Sequence, residues 1–220
     1  MNQLLTTLFA LSVACVTFGA SAQDKTGDAK AGGKKIAMCI GCHGIQGYQA
    51  SFPEIYKVPK ISGQSEKYII SALNAYKAGE RKHPTMVGIA TSMTDQDMAD
   101  VAAYYSVHGK TDAVLAEQPS KQPSPQVAAL LQKGACVSCH GANFAKPIDL
   151  TYPKIAGQHA DYLLVALKAY KTENNPKIGR SNGVMAGIAK QYTNAELKAL
   201  SNYIASLDGD LKTVADSRFR

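Results

Sequence analysis

The chain has 220 residues, 45% of them hydrophobic and 19% charged, with 24 Lys and Arg against 17 Asp and Glu for a formal net charge of +7. That length allows one or two domains, and the apolar fraction excludes a disordered or fibrous chain. Four of the five cysteines fall in two short motifs, which leaves no pair for a structural disulfide and points away from a disulfide-stapled fold.

Residues 1–22 resemble a secretory signal peptide: an apolar run from Leu4 to Phe18 leads to Ala20-Ser21-Ala22, an A-x-A cleavage site. No Lys or Arg precedes the run, so only the terminal amine supplies positive charge. Lipid attachment at Cys15 is the competing reading, although Ser12 stands where a lipobox prefers leucine. The mature chain is expected to begin near Gln23, outside the cytoplasm. No later stretch looks transmembrane.

Asp28 is placed to cap a short helix running into Cys39, which Gly32 and Gly33 either weaken or bring close to another backbone. There the chain reads Cys39-Ile40-Gly41-Cys42-His43. Two cysteines three apart share a helix face, so both thiols reach the vinyl groups along one side of a porphyrin. The histidine one step on turns its ring towards the iron, and the whole is the attachment pattern of c-type haem. A zinc or redox Cys-x-x-Cys needs no histidine there, and structural zinc draws its other ligands from a second cluster. Residues 44–58 read as a loop and residues 65–77 as a helix with Tyr68, Leu73 and Tyr76 among its apolar positions. Residues 78–93 read as a loop with a short turn after Met86. Thr94-Asp95-Gln96-Asp97 opens a helix ending near His108-Gly109.

Pro119, Pro123 and Pro125 mark residues 111–125 as a stiffened linker, after which the pattern recurs. A helix from Ser124 or Pro125 leads into Cys136-Val137-Ser138-Cys139-His140. Pro153-Lys-Ile-Ala-Gly157 answers Pro59-Lys-Ile-Ser-Gly63, and Tyr162, Leu167 and Tyr170 answer Tyr68, Leu73 and Tyr76, all at an offset of 94. Met185-Ala-Gly-Ile-Ala189 answers Met86-Val-Gly-Ile-Ala90 at an offset of 99, and Thr193-Asn194-Ala195-Glu196 is a fuller capping box. The chain therefore divides into a leader (1–22), an N-terminal module (23–110), the linker (111–125) and a C-terminal module (126–220).

Two haem c groups are expected, one per module, with Cys39, Cys42, Cys136 and Cys139 as attachment points and His43 and His140 as one axial iron ligand each. Met86 and Met185 are the candidates for the opposite face, because each lies in the equivalent loop before the last helix of its module. Met38, Met93 and Met98 align with Ala135, Tyr192 and Leu197 and read as packing residues. His83, three residues before Met86, is an alternative ligand whose counterpart is Asn182; a solvated loop histidine is its plainer reading. His108 and His159 read as surface residues. Pro59 and Pro153 either stop their loops or offer a carbonyl to the ring N–H of the iron-bound histidine. Gly63 and Gly157 read as positions of close approach or positive φ.

On both Cys-x-x-Cys-His motifs, the Pro-Lys-Ile-x-Gly-Gln stretches, the Tyr-x-x-x-Ala-Leu helices, Met86 and Met185, the chain resembles the cytochrome c4 family over roughly residues 28–208. These are the dihaem class I cytochromes c of bacterial periplasms. The resemblance implies an all-α fold of two tandem class I cytochrome c domains related by a pseudo-twofold, each around one covalent haem with His/Met iron. It favours the carbonyl role for Pro59 and Pro153. It also implies an electron carrier in the periplasm rather than an enzyme, passing electrons between redox partner proteins, a membrane-bound terminal oxidase among them. An electron-accepting subunit of a periplasmic dehydrogenase is the alternative. A dihaem peroxidase is disfavoured by the two methionines, since peroxide chemistry needs an open iron. Two departures stand out: the loop before Met185 is longer than that before Met86, and the tail after Leu207 has no equivalent in the first half.

Residues 119–220 carry 13 Lys and Arg against 7 Asp and Glu, whereas residues 23–118 are nearly balanced at 11 against 10. That placement suggests that Lys146, Lys154, Lys168, Lys171, Lys177 and Arg180 meet an acidic partner. Nucleic acid is not expected as a partner of an exported haem protein, and peripheral attraction to anionic lipid stays open. Intact mass measurement of the exported protein is expected to give the chain without residues 1–22 plus two haems; the mass of one haem would leave one motif unmodified.

Overall fold

The structure is a computed structural model that describes residues 25–216; the leader and Cys15 lie outside the described residues. Asp28 caps α1 (Ala29–Gly32), its carboxylate accepting from the N–H groups of Lys30 and Ala31. Both readings of the glycine pair hold. The helix ends after one turn, and a Cβ on Gly32 would lie 2.0 Å from the carbonyl oxygen of Asp100, so α1 rests directly on the backbone of α5 (Asp95–Val107). Lys35 locks the contact with ion pairs of 2.7 Å to both Asp97 and Asp100.

The first motif lies on α2 (Ala37–His43), and a two-residue hairpin of β1 (Gln49–Ala50) and β2 (Tyr56–Lys57) occupies the loop after it. Next come α3 (Glu66–Lys77), β3 (Arg81–Lys82) and α4 (Pro84–Thr91). The expected short turn after Met86 is thus a helix of eight residues that begins two positions before it. Pro84 explains the start, because its missing N–H and fixed φ suit the first helical position. In the second module α6 (Pro125–Lys133), capped by Ser124, leads to α7 (Val137–His140), then α8 (Ala160–Lys171), β4 (Gly179–Arg180), α9 (Gly183–Ala189) and α10 (Asn194–Ala205). Thr94 with Asp97 and Thr193 with Glu196 form complete capping boxes. The helical expectation holds, with four two-residue strands added.

Each module has its own apolar cluster. Met98, Met93, Val101 and Tyr105 belong to the first, and Leu131, Tyr192, Leu197 and Leu200 to the second. Met93 and Met98 are packing residues as expected, whereas Met38 is 56% exposed. Its place near the start of α2 turns it outward.

The modules meet through a reciprocal exchange. Gln158 donates its amide to the carbonyl of Lys60 (2.9 Å) and accepts from the Lys60 N–H (3.0 Å). Gln64 does the same with Lys154, at 2.9 and 3.0 Å. Residue i touches j and the copy of i touches the copy of j, which is the signature of an isologous twofold contact. Antiparallel pairing of β3 with β4 sets Arg81 opposite Arg180, its own counterpart at the offset of 99. The tail then crosses back to the first module: Lys212 donates its N–H to Ser62 (3.0 Å). A Cβ on Gly63 would lie 2.4 Å from the Asp210 carbonyl, at a φ of +84°, so glycine is required there on both grounds.

This arrangement corrects the expected docking face. Lys168 pairs with Glu54 across the interface, Lys154 pairs with Asp210 within the second module, Lys146 pairs with Glu117, and Lys171 donates to the Tyr192 carbonyl. Arg180 lines the interior; of the six, Lys177 stands exposed with no side-chain bond to another described residue. His108 is held by Ser62 (2.9 Å) and stacked on Tyr104, and is not a free surface residue.

Gln64 and Gln158 are 4% and 5% exposed, so replacing either with leucine strands two buried backbone groups. Each substitution is expected to lower the unfolding free energy by about 1–3 kcal/mol, read as an earlier urea midpoint. Because the two positions are equivalent, the losses should be alike.

Candidate functional site

His43 ends α2 and His140 ends α7. Nδ1 of His43 donates to the carbonyl of Pro59 at 2.7 Å, and Nδ1 of His140 to that of Pro153 at 3.1 Å. A carbonyl only accepts, so each Nδ1 carries the proton and each Nε2 keeps its lone pair. Burial holds both imidazoles below their usual pKa, which keeps the rings neutral. A neutral ring with its second nitrogen fixed by a backbone carbonyl is the state a metal ligand requires.

The four motif cysteines are free thiols in the chain itself. Burial pushes the Cys39 thiol up to about 11 and raises that of Cys136. A redox or zinc-binding pair needs the opposite, a lowered thiol pKa. Among the described residues no cluster of three or more His, Cys, Asp and Glu side chains is placed to hold a metal ion. Both observations leave thioether attachment as the reading of these motifs.

Met86 and Met185 occupy the third positions of α4 and α9. Both line the same cavity as the four cysteines, His43 and His140. This single space of about 1130 Å³ runs through both modules, beyond the roughly 300–1,000 Å³ of one small-molecule site. The structure therefore brings all eight sequence-derived residues to one cavity. The two methionine arms differ in one respect. Asn182 caps α9 by accepting from the Met185 N–H at 3.0 Å, whereas its counterpart His83 makes no capping bond. His83 is not solvated as its plainer reading held: both ring nitrogens are buried, and the residue lies against the backbone and the ring of Phe52.

Sequence reasoning read the tyrosines of the cavity wall as apolar helix positions and Arg180 as a docking contact, and passed over Arg81. Arg81 and Arg180 both line it, with Tyr68, Tyr76, Tyr162 and Tyr170 around them. Nε of Arg81 is buried and has no hydrogen-bond partner. A signal was present, since these are the only arginines before residue 218 and they match at the repeat offset. Thiol pairs, neutral histidines, thioethers and unpaired buried donors fit a large, flat, acid-bearing porphyrin in each module.

The cytochrome c family profile matches residues 30–106 and again 126–208. The chain is 35% identical over 196 residues to cytochrome c4 of Stutzerimonas stutzeri, covering 82% of this chain and 90% of that one. It is 27% identical over 182 residues to the thiosulfate dehydrogenase electron acceptor of Thiomonas intermedia (strain K12), covering 78% and 79%. The crystal structure of reduced recombinant cytochrome c4 from Pseudomonas stutzeri superposes with a TM-score of 0.62 at 31% identity, over 83% of this chain and all of that one.

Loss of the Asn182 cap is expected to loosen α9 selectively. Asn182→Ala should cost about 1 kcal/mol and speed hydrogen exchange at the Met185 amide, with exchange at Met86 unchanged.

Proposed function

The chain belongs to the cytochrome c4 family, with two tandem cytochrome c domains and two covalently bound haem c groups, and we propose that it is a periplasmic carrier taking electrons from a respiratory donor to a membrane-bound terminal oxidase. Haem, when bound, supplies reversible one-electron chemistry at its iron. The chain's residues do the rest. Cys39 and Cys42 in one domain, and Cys136 and Cys139 in the other, anchor the porphyrins. His43 and His140 would offer Nε2 to the irons, their rings held by the Pro59 and Pro153 carbonyls. Met86 and Met185 would offer thioether sulfur, a donor that favours the ferrous state and raises the potential. The domains extend from 23 to 110 and from 126 to 220, with residues 111–125 as linker.

The observation that carries this reading is the continuity of the cavity. Two equivalent ligand sets line one space across the pseudo-twofold, so an electron entering one domain has a short way out through the other. Among the described residues no helix is long and apolar enough to cross a membrane, and export rests on the leader. A second reading is favoured by the relatives described as thiosulfate dehydrogenase electron acceptors, at 27% and 28% identity over most of the chain. In that reading the electron donor is a periplasmic dehydrogenase and the protein still performs no chemistry of its own.

A redox titration of the native protein is expected to show two one-electron steps. Met185→Ala should open one iron to added ligand and lower one midpoint; two unchanged midpoints would reject the assignment. Met86→Ala should do the same at the other iron, and a site that survives it but fails when His83 is also replaced would identify His83 as the ligand. Reduction by thiosulfate dehydrogenase faster than oxidation by an oxidase-containing membrane fraction would favour the second reading.

A further inference from the structure

Tyr105 is 1% exposed and lines the cavity beside Cys39. Its backbone carbonyl accepts from the Gly63 N–H at 2.8 Å. Its ring meets those of Tyr104 and His108 edge-on, with centres 5.2 and 5.9 Å apart. The ring is thus fixed, and its hydroxyl lies towards the Cys39 sulfur without an oxygen or nitrogen partner. Burial above all pushes that hydroxyl far above its usual pKa, so it keeps its proton and stays a donor.

Two hydroxyls of the second module also stand near motif sulfurs, and each commits its one proton to a carbonyl. A Cβ on Gly134 would touch both the Tyr192 hydroxyl and the Cys136 sulfur, but Tyr192 donates to the Leu130 carbonyl at 2.8 Å. The Ser138 hydroxyl is 3.8 Å from the Cys139 sulfur and donates to the Ala135 carbonyl at 2.6 Å. The position equivalent to Tyr105 is Ile204, and that equivalent to Ser138 is Gly41, neither with a hydroxyl. Of the three hydroxyls, Tyr105 alone has its proton available to a sulfur.

Haem attachment adds the Cys39 S–H across a vinyl double bond: sulfur bonds one carbon, the hydrogen goes to the other, and no oxidant is consumed. The sulfur then has lone pairs and no proton, so only the tyrosine can donate between them. We propose that Tyr105 donates a hydrogen bond to the Cys39 thioether sulfur and thereby raises the midpoint of the first haem alone. This role rests on the dihaem reading above and deepens it by making the two sites electronically unequal. A donor proton against the sulfur draws electron density from the porphyrin edge, which disfavours the ferric state. Neither sulfur of the second motif receives such a proton from Tyr192 or Ser138.

The test is a redox titration of the haem-loaded native protein, Tyr105→Phe and Tyr192→Phe, with resonance Raman spectra of the C–S stretching bands in light and heavy water. Tyr105→Phe keeps the ring and removes the donor, and should lower one midpoint while leaving the other in place. Tyr192→Phe, whose lost proton serves Leu130, should move neither. In the native protein, exchange of the hydroxyl proton for deuterium should shift one C–S band, an arm that needs no variant to fold. Two titration steps in the native protein establish the dihaem reading; a single step defeats that reading, and the heavy-water shift still decides the hydrogen bond. An unchanged or raised midpoint in Tyr105→Phe, an equal shift in Tyr192→Phe, or C–S bands indifferent to heavy water overturns the proposal.

Discussion

The orientation of each histidine depends on the other half of the molecule. His43 donates to the carbonyl of Pro59, and the next residue, Lys60, has both its backbone groups taken by Gln158 of the second module. His140, Pro153, Lys154 and Gln64 repeat the chain in the opposite direction. Lys60 also donates its ammonium to the Gly157 carbonyl at 2.6 Å. The segment that aims one ring is thus the segment that the other domain grips. Interface formation and ligand placement are one event, and small modules with modest cores gain from each other both stability and the precision a metal ligand needs.

Duplication gave two sites of one design, and the differences between them lie at the methionine arms and the cavity walls. Asn182 tethers the start of α9, while His83 leaves the start of α4 to Pro84. Tyr105 packs its ring beneath the first motif with its buried hydroxyl towards the Cys39 thiol; the corresponding position in the second module is the apolar Ile204. Tyr162 bridges two arginines and Tyr68 touches one. Each difference changes polarity or rigidity beside an iron site, and these are the levers that set a haem potential. Two cofactor sites in distinct surroundings follow from these changes.

Much of this was legible in the sequence because local rules govern it. Helix limits at Thr94, Ser124 and Thr193 follow from side chains that bond their own next turn. The motif spacing is one helical turn, and Gly63 and Gly157 announce positive φ. What escaped was long-range. The helix at Met86 begins earlier than periodicity suggested, because a proline at its first position reads equally well as a loop residue. His83 and the arginines gave no local signal of burial: His83 meets Phe52 of the preceding hairpin loop, and each arginine lies against tyrosines of the helix before it and opposite its counterpart in the other module. The lysines assigned to a docking face were misread for the same reason: composition counts charges, and only the fold shows which partner each one meets.

That last point changes where the electrostatics of this protein act. Lys168 carries its charge into a cross-domain pair with Glu54, and Lys154 into a pair with Asp210 of its own domain. Exposed pairs of this kind contribute little to stability, but they reduce the field that a basic second domain projects. Among the described residues the charges without an ion pair include the two arginines inside and exposed lysines such as Lys30, Lys67, Lys121, Lys177 and Lys198. Screening by salt reaches surface charges within about 10 Å at 0.1 M and buried ones far less. The two arginines on the cavity wall therefore act on what the cavity holds at any ionic strength, whereas the unpaired surface lysines act on an approaching partner and are screened. The basic balance of the sequence divides between a buried pair that serves the cavity and surface lysines still able to meet an acidic protein.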